Sequence, residues 1–167
     1  FPSQGEGSSP HLQGERLART LGINSLHVPY KGSSTSDLVA GRLGFAVLSS
    51  ASVAELVRSG RLNALAVLSS ERLAALPGVP TAKEAGLPNH LYNGGVCLWA
   101  PGATALPVLV RLNEALSAAA GNADVRSRLE SLGVEPVAAN LEDTARFVTD
   151  FMADNDKLRE AVLGKGR

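Results

Sequence analysis

The sequence predicts an α/β protein built on a parallel sheet. Short apolar runs alternate with stretches of helical periodicity, which is the pattern of successive βαβ units. The run at residues 62–68 is almost continuously apolar, as expected of a strand covered by helices on both faces. The chain has 167 residues, of which 44% are hydrophobic and only 4% aromatic. This length and composition predict a core built on aliphatic side chains.

Five short apolar runs, each bounded by turn residues, are the expected strands. They lie at residues 25–28, 43–48, 63–68, 96–100 and 134–138. Strands and helices alternate up to about residue 92, and mostly helices follow residue 102. We therefore expect residues 92–102 to cross between two lobes.

Capping residues predict where several helices begin and end. The expected starts are Ser9-Pro10, the capping boxes Ser52…Glu55 and Thr81…Glu84, and Asn140 before the last helix. Gly86 stands where a helix end needs a left-handed residue. Three C-terminal helices are predicted at 105–120, 123–132 and 141–161. Apolar residues form one stripe along the first of them and one along the last; these are Leu106, Leu109, Val110, Leu112, Leu116 and Ala119, and Leu141, Ala145, Val148 and Met152.

Composition excludes several classes of function. The 16 basic and 16 acidic residues cancel, which argues against a nucleic-acid surface. No apolar run approaches the roughly 20 residues of a membrane helix. Cys97 is the single cysteine, so neither an internal disulfide nor a thiolate metal cluster is expected. The three histidines lack the short spacing of a zinc site, and we predict no metal or other cofactor.

Four small polar loops follow predicted strands, at residues 3–9, 30–35, 49–52 and 69–70. In an open parallel sheet, ligands bind beyond the carboxyl ends of the strands. Glycine lets the backbone approach a ligand, serine adds a hydroxyl, and a following helix presents unpaired N–H groups. The recurrence of such loops predicts an anion site, most simply for a carboxylate. The alternative is that Gly and Ser act only as turn formers and helix caps.

Catalytic interpretations have less support. Gly5 and Gly7 begin like a dinucleotide loop, but the third glycine is missing. No Gly-x-Ser-x-Gly elbow exists and no pair of acids converges, so no catalytic residue is predicted. We interpret His27 as a structural histidine within a strand. His11, beside the first loop, either lines the site or hydrogen-bonds the loop, and we favour the second role.

Several collinear motifs resemble the Bug family, the substrate receptors of tripartite tricarboxylate transporters. The motifs are Gly5-x-Gly7-Ser8-Ser9-Pro10-His11-Leu12, His27-Val28-Pro29-Tyr30-Lys31-Gly32, Gly60-Arg61-Leu62-Asn63-Ala64-Leu65-Ala66-Val67, Leu76-Pro77-Gly78-Val79-Pro80-Thr81 and Glu84-Ala85-Gly86-Leu87-Pro88. The match continues at Ala100-Pro101, Arg111-Leu112-Asn113 and Gly133-Val134-Glu135-Pro136, so it covers essentially the whole chain in order and spacing. The resemblance implies a periplasmic protein of the type II periplasmic-binding-protein fold, which closes on a small carboxylate and delivers it to a membrane permease.

The resemblance also implies a division into lobes. Residues 1–95 would form the second, ligand-binding lobe, residues 96–102 the crossover or hinge, and residues 103–167 a helical part of the first lobe. We expect the signal peptide and most of the first lobe upstream of Phe1. Apolar helix stripes without their partner strands further predict self-association of a truncated chain.

By the same resemblance, three loops face the ligand. The implied ligand-binding residues are Gly5, Gly7, Ser8, Ser9, Gly32, Ser33, Ser49 and Ser50, with His11 and Tyr30 supporting the loops. Ser49 and Ser50 stand where many relatives carry an acid, which favours a plain di- or tricarboxylate over an amino acid. Two alternatives stay open: the effector domain of a transcription regulator with the same fold, and an α/β enzyme using a Gly/Ser loop.

Overall fold

The computed structural model describes residues 1–92 and 94–164 and has the predicted α/β architecture. Its elements in chain order are β1 (Pro2–Ser3), α1 (Ser9–Leu21), β2 (Val28–Pro29), α2 (Thr35–Val39), α3 (Ser50–Arg58), α4 (Leu106–Gly121), α5 (Ala123–Ser131) and α6 (Leu141–Leu163). The chain divides into two compact units: unit 1, Phe1–Ala64 with Ala153–Arg167, and unit 2, Leu65–Met152. No described helix combines the length and apolar character needed to cross a membrane.

Unit 1 is organised by a two-stranded parallel sheet. Pro2 lies opposite Val28 and Ser3 opposite Pro29. Helix α1 connects the two strands and contacts β1, which completes one βαβ unit. Buried Phe1 and Leu12 contribute to the core beneath this sheet. The predicted alternation of strand and helix is therefore confirmed here.

Most of the predicted strands are shorter than expected or lack a neighbour. The run 25–28 contributes only Val28 to a strand, and the run 63–68 only a parallel bridge between Val67 and Thr81. Among the described residues, the runs 43–48, 96–100 and 134–138 form no ladder. An apolar run identifies extended chain, but a strand also needs a partner for its backbone groups, and the sequence does not name that partner.

Helices α1, α2 and α3 of unit 1 end in left-handed glycines that close the last turn. In each case the N–H of the next residue bonds to a carbonyl five residues back, the arrangement of a Schellman motif. The glycines are Gly22, Gly41 and Gly60, with φ of 64°, 72° and 70°, and the bonds are Ile23 to Ala18, Arg42 to Asp37 and Arg61 to Leu56, each 2.8–2.9 Å. The turn before Gly86 ends the same way, as predicted, with Gly86 at φ 88° and Leu87 bonded to Ala82.

Two of the predicted helix starts are displaced. Helix α1 begins at Ser9, so its N-cap is Ser8, one residue earlier than expected. Helix α3 has Ser49 as its N-cap, and the predicted cap Ser52 lies inside the first turn, where its hydroxyl donates to the Ser49 carbonyl. The sequence 49–52 contains three serines, and cap preference alone does not choose among them.

The hydrogen bonds of the capping box at Thr81 and Glu84 are confirmed, but the helix expected to start there is wrong, because residues 82–86 form turns. The Thr81 N–H donates to the Glu84 carboxylate at 2.7 Å, and the Glu84 N–H donates to the Thr81 hydroxyl at 3.2 Å. Nε of Arg72 donates to both carboxylate oxygens, at 3.1 and 3.0 Å. The hydrogen bonds from Arg72 and then from the Thr81 backbone hold the pKa of Glu84 at about 2.

The three C-terminal helices are confirmed, and Asn140 caps the last by accepting a bond from the Asp143 N–H at 2.8 Å. Their predicted apolar stripes are not buried as expected. Leu106 in the α4 stripe is 65% exposed and Met152 in the α6 stripe 60%. The uncharged segment before α4 is exposed too, with Val96 at 96%. A stripe records which side chains share a helix face, but burial needs a neighbouring element to cover that face.

The division into lobes at residues 1–95, 96–102 and 103–167 stays a prediction. Asn93, where the crossover is expected to begin, and residues 165–167 lie outside the described residues.

The glycine helix ends predict a sharp difference between two nearby substitutions. Gly41→Ala forces a left-handed alanine and should lower the free energy of unfolding by about 1 kcal/mol. Gly44 has no left-handed φ, and a methyl group there would meet no atom within 4 Å. Gly44→Ala should therefore be neutral or stabilising by less than about 1 kcal/mol. Urea denaturation measures both; equal effects would contradict the role given to Gly41.

The low pKa of Glu84 predicts a pH dependence of stability. Its folded pKa lies below the ordinary 4.5, so its contribution is present above pH 4.5 and is lost as the pH falls towards about 2. Glu84→Gln keeps an oxygen for the Thr81 N–H but removes the charge, and it should flatten the decline of unfolding free energy over this range. Arg72→Gln should flatten it in part. An unchanged slope in Glu84→Gln would rule out this carboxylate as a source.

Candidate functional site

The parallel pairing of β1 and β2 brings the first two predicted ligand loops together. Residues 3–9 leave the carboxyl end of β1, and residues 30–34 leave the carboxyl end of β2. The Tyr30 N–H bonds to the Ser3 carbonyl at 2.8 Å, at the point where the two loops begin to separate from the sheet. Gly7, Gly32 and Ser33 are exposed, so the edge where these loops meet is open to solvent.

The first loop is held in shape by its own hydrogen bonds. The Ser3 hydroxyl donates to the Gly5 carbonyl at 2.9 Å and accepts from the Gly5 N–H at 3.0 Å. The Ser8 hydroxyl and N–H both donate to the same carbonyl, at 2.7 and 3.2 Å. Gly5 and Gly7 adopt φ of 130° and 77°, conformations that disfavour other residues. The loop is therefore preorganised around the Gly5 peptide.

Two stacked histidines lie beneath this loop. The His11 ring accepts a hydrogen bond at Nδ1 from the Gly7 N–H, at 3.0 Å. The ring of His27 stacks on it with centroids 3.9 Å apart, and Nε2 of His27 lies 2.6 Å from the Ser3 hydroxyl oxygen. His11 is buried, and Phe1 contacts both rings. Burial, and then the positive charge of His11, lower the pKa of His27.

The start of helix α1 has unused donors. Its N-cap Ser8 makes no side-chain cap bond, and its hydroxyl donates to the Gly5 carbonyl instead. Within the described part of the chain, no acceptor meets the N–H groups of Ser9 and His11, and Leu12 is the first to bond back, to the Ser8 carbonyl. Such first-turn N–H groups, together with the helix dipole, favour an anion.

The second loop is fixed by a three-residue network. The Tyr30 hydroxyl donates to the Asp37 carboxylate at 2.6 Å, and the Arg42 guanidinium binds the same carboxylate. The Tyr30 bond, and then the Arg42 bond, lower the pKa of Asp37, while the bond to Asp37 raises the pKa of Tyr30. The Ser33 hydroxyl donates to Thr35 at 3.0 Å. This network anchors both ends of the loop that carries Gly32 and Ser33.

The third loop also ends in a serine whose side chain does not cap the helix that follows. Ser49, the N-cap of α3, is exposed and makes no side-chain cap bond. The run before it belongs to unit 1, where Phe45 stacks on Phe1 with ring centroids 5.2 Å apart. Ser50 is the first residue of the helix. The third loop thus resembles the first, with a serine hydroxyl placed at a helix start but not used to cap it.

The fourth loop differs from the others. Ser69 and Ser70 belong to unit 2 and lead into turns instead of a helix. Ser70 borders an open surface depression of about 510 Å³, which also contains the Arg72–Glu84 pair. The guanidinium is thereby neutralised by a carboxylate of the same chain. The structure gives this loop none of the helix-start geometry expected of an anion site.

The charges near the loops are few. No lysine or arginine is buried among the described residues, and Lys31 beside the second loop is exposed. In that part of the chain, no group of three or more His, Cys, Asp or Glu residues could hold a metal ion. An anion at this edge would therefore be held by N–H groups and hydroxyls, with Lys31 as the nearest flexible cation along the loop.

Several members of the site were missed by sequence reasoning. Ser3 was part of the first loop but was not singled out, and His27 was interpreted as structural without its link to His11. Asp37 and Arg42 were not considered at all. Asp37 lies in the first turn of the helix after Tyr30, but this position only weakly indicates a contact between the two. Acids are common in the first turn of helices because they stabilise the helix. The stacking of His11 and His27 depends on the pairing of two strands and has no signal in sequence spacing.

A protein-family comparison matches residues 1–163 to the tripartite tricarboxylate transporter family receptor. A protein encoded between tcbD and tcbE in Pseudomonas sp. strain P51 is 40% identical over 166 residues, which cover 98% of this chain and 48% of that protein. BugT of Bordetella pertussis is 34% identical over 146 residues, covering 86% of this chain and 45% of that protein. The chain spans about half the length of most of these curated relatives.

Solved structures agree with the family match. A protein of R. palustris solved with adipate superposes with a TM-score of 0.89 at 27% identity, covering 97% of this chain and 55% of that one. The periplasmic binding protein BugD gives 0.84 at 27% identity, covering 99% and 57%. MatC from Rhodopseudomonas palustris, solved with malate, gives 0.77 at 29% identity, covering 94% and 55%. The predicted binding-protein fold is thereby confirmed.

The Gly/Ser loops, the βαβ unit that joins them and the match over residues 1–163 lead to one conclusion: this chain belongs to the tripartite tricarboxylate transporter receptor family.

Proposed function

We propose that the protein of which this chain forms part is a periplasmic solute-binding protein that captures a small dicarboxylate and delivers it to a membrane permease. The family match supports the receptor role. Two structural relatives were solved with adipate and with malate, both dicarboxylates. We assign this chain no catalytic step.

The observation that carries the proposal is the absence of side-chain capping at serine N-caps that follow the ligand loops. Ser34, before the short helix α2, makes no side-chain cap bond, and the two longer helices show the same feature. Ser8 and Ser49 stand at the starts of α1 and α3 and cap neither helix. The same chain caps other helices efficiently: Asn122 accepts bonds from two N–H groups of α5, and Asn140 accepts one from α6. If the Gly/Ser loops served only as caps, their serines would be expected to do the same. The N–H groups of Ser9 and His11 at the start of α1, which meet no acceptor in the described part of the chain, instead suit an external anion.

The energetic terms are sufficient for a selective site. Each helix start favours an anion by about 0.3–1 kcal/mol when exposed and up to about 2 when partly buried. A hydrogen bond to a charged group contributes about 1.5–3 kcal/mol. One helix start binds a carboxylate weakly, but two helix starts with their serine hydroxyls bind it well. A second carboxylate adds the same terms again, which explains a preference for diacids.

We divide the predicted ligand residues by role. Ser9, Gly32, Ser33, Ser49 and Ser50 are assigned direct contacts. Gly5, Gly7 and Ser8 give the first loop its shape, since their own donors are used within it. Tyr30 holds the second loop through Asp37. The lobe division at residues 96–102 completes the proposal: closure at this hinge would bring a second lobe onto the bound acid.

The whole protein should respond to charge at both ends of its ligand. In a thermal-shift series, adipate and malate should raise the melting temperature, acetate should raise it less, and the uncharged diamide of adipate should have no effect. The diamide matches adipate in length and shape, so it isolates the carboxylates. Stabilisation by sugars or nucleotides without stabilisation by acids would refute a carboxylate site.

Two serines at opposite ends of α3 provide a matched pair of variants. Ser49→Ala should raise the dissociation constant for the diacid by about tenfold or more, since it removes one hydroxyl from a charged acceptor. Ser59, at the other end, donates to the Glu55 carbonyl. Ser59→Ala should leave the constant within about twofold of the unsubstituted protein. Isothermal titration calorimetry measures both, and equal affinities for the two variants would remove Ser49 from the site.

A further inference from the structure

We propose that His11 and His27 are positioning residues for the first ligand loop, and that protonation of His11 frees the Gly7 N–H and weakens carboxylate binding. The proposal rests on the function assigned above. It adds two residues and a pH dependence to that site.

Hydrogen bonds, and not packing, fix the loop at Gly7. A methyl group added at Gly5 or Gly7 would meet no atom within 4 Å, so these two positions are not tightly packed on that side. The acceptor of the Gly7 N–H is Nδ1 of His11, at 3.0 Å. A ring nitrogen accepts only through its lone pair, and an imidazolium has none at either nitrogen. Protonated His11 therefore cannot hold this N–H.

The second histidine is tied to the same loop through Ser3. The Ser3 hydroxyl has one proton, which it gives to the Gly5 carbonyl at 2.9 Å. Its oxygen then accepts from the Gly5 N–H and from Nε2 of His27, 2.6 Å away. When His27 carries its proton on Nε2, this pattern uses the one donor and both acceptor lone pairs of the Ser3 hydroxyl. One histidine thus fixes Gly7, and the other fixes Gly5.

The stacking of the two rings couples their protonation. Their centroids are 3.9 Å apart, so a charge on one ring disfavours a charge on the other. The other charged side chains acting on His27 are the carboxylates of Glu15 and Glu6, which favour its protonation. Phe1 and Phe45 pack alongside and bring no side-chain charge. The pair therefore accepts one proton far more readily than two.

The sign of the stability effect follows from His27. Burial and the charge of His11 place its folded pKa below the ordinary 6.5. Its contribution to stability is complete above pH 6.5 and is lost as the pH falls from 6.5 towards the folded pKa. The stability contribution of His27 is accordingly complete at neutral and alkaline pH and smaller in acid.

The first test needs no ligand. In an NMR titration of the whole protein from pH 8 to pH 5, the Gly7 amide should move together with the imidazole resonances of His11. His11→Asn provides a side-chain oxygen near the position of Nδ1 that does not titrate in this range, and the Gly7 amide should then stay constant. A Gly7 amide that ignores pH in the unsubstituted protein, or one that still titrates in His11→Asn, would overturn the positioning role.

The second test measures adipate affinity at pH 7.5 and 5.5. From pH 7.5 to 5.5, affinity for the unsubstituted protein should fall about twofold to tenfold more than affinity for His11→Asn, the effect of one hydrogen bond. Because both proteins are measured at the same pH, protonation of adipate affects both affinities equally and cancels in the comparison. His11→Phe, which offers no acceptor, should bind weakly at both pH values. Parallel declines in the unsubstituted protein and His11→Asn would overturn the proposed pH dependence.

The two tests separate the two proposals. If adipate and malate bind none of the proteins while the Gly7 amide still follows His11, the assigned ligand is wrong and the hold of His11 on the loop is supported.

Discussion

Two backbone hydrogen bonds determine where the proposed site can form. The Val28 N–H bonds to the Phe1 carbonyl and the Tyr30 N–H to the Ser3 carbonyl, at 2.9 and 2.8 Å. These bonds make β1 and β2 parallel, place two Gly/Ser loops at one edge and carry His27 onto His11. The strands are only two residues long, so side chains of the loops add what the ladder lacks: Ser3 joins the first loop to the second strand through His27.

Helices α1, α3, α5 and α6 treat their first turn in two different ways. In α5 and α6 an asparagine amide satisfies the first N–H groups, and these helix starts are closed. In α1 and α3 a serine stands at the same position and makes no side-chain cap bond. In α1 the N–H groups of Ser9 and His11 meet no acceptor among the described residues. Capping contributes about 1 kcal/mol of stability. Omitting it at the two loops the family resemblance assigns to the ligand is a local cost in stability that a bound anion can offset.

Sequence reasoning predicted what depends on local chemistry. The capping box at Thr81, the cap at Asn140, the left-handed Gly86 and the family motifs all rest on residues close in the chain, and all were confirmed. It missed what depends on partners. The runs 43–48 and 96–100 lack ladders because neighbours, and not propensity, make a strand. The His11–His27 stack and the Tyr30–Asp37–Arg42 network were invisible for the same reason, since each needs β2 to be in register with β1.

The exposed apolar segment before α4 has a practical consequence for purified material. From Leu91 to Val110 the chain has no Asp, Glu, Lys or Arg, and Trp99 within it is 72% exposed. Native proteins usually place charged residues on exposed strand edges, and these charges keep neighbouring copies from associating. The formal net charge of zero at pH 7 provides no general repulsion either. This segment therefore lowers the colloidal stability of the chain at neutral pH. A buffer that gives the chain a net charge protects it better than added salt, which screens what repulsion remains.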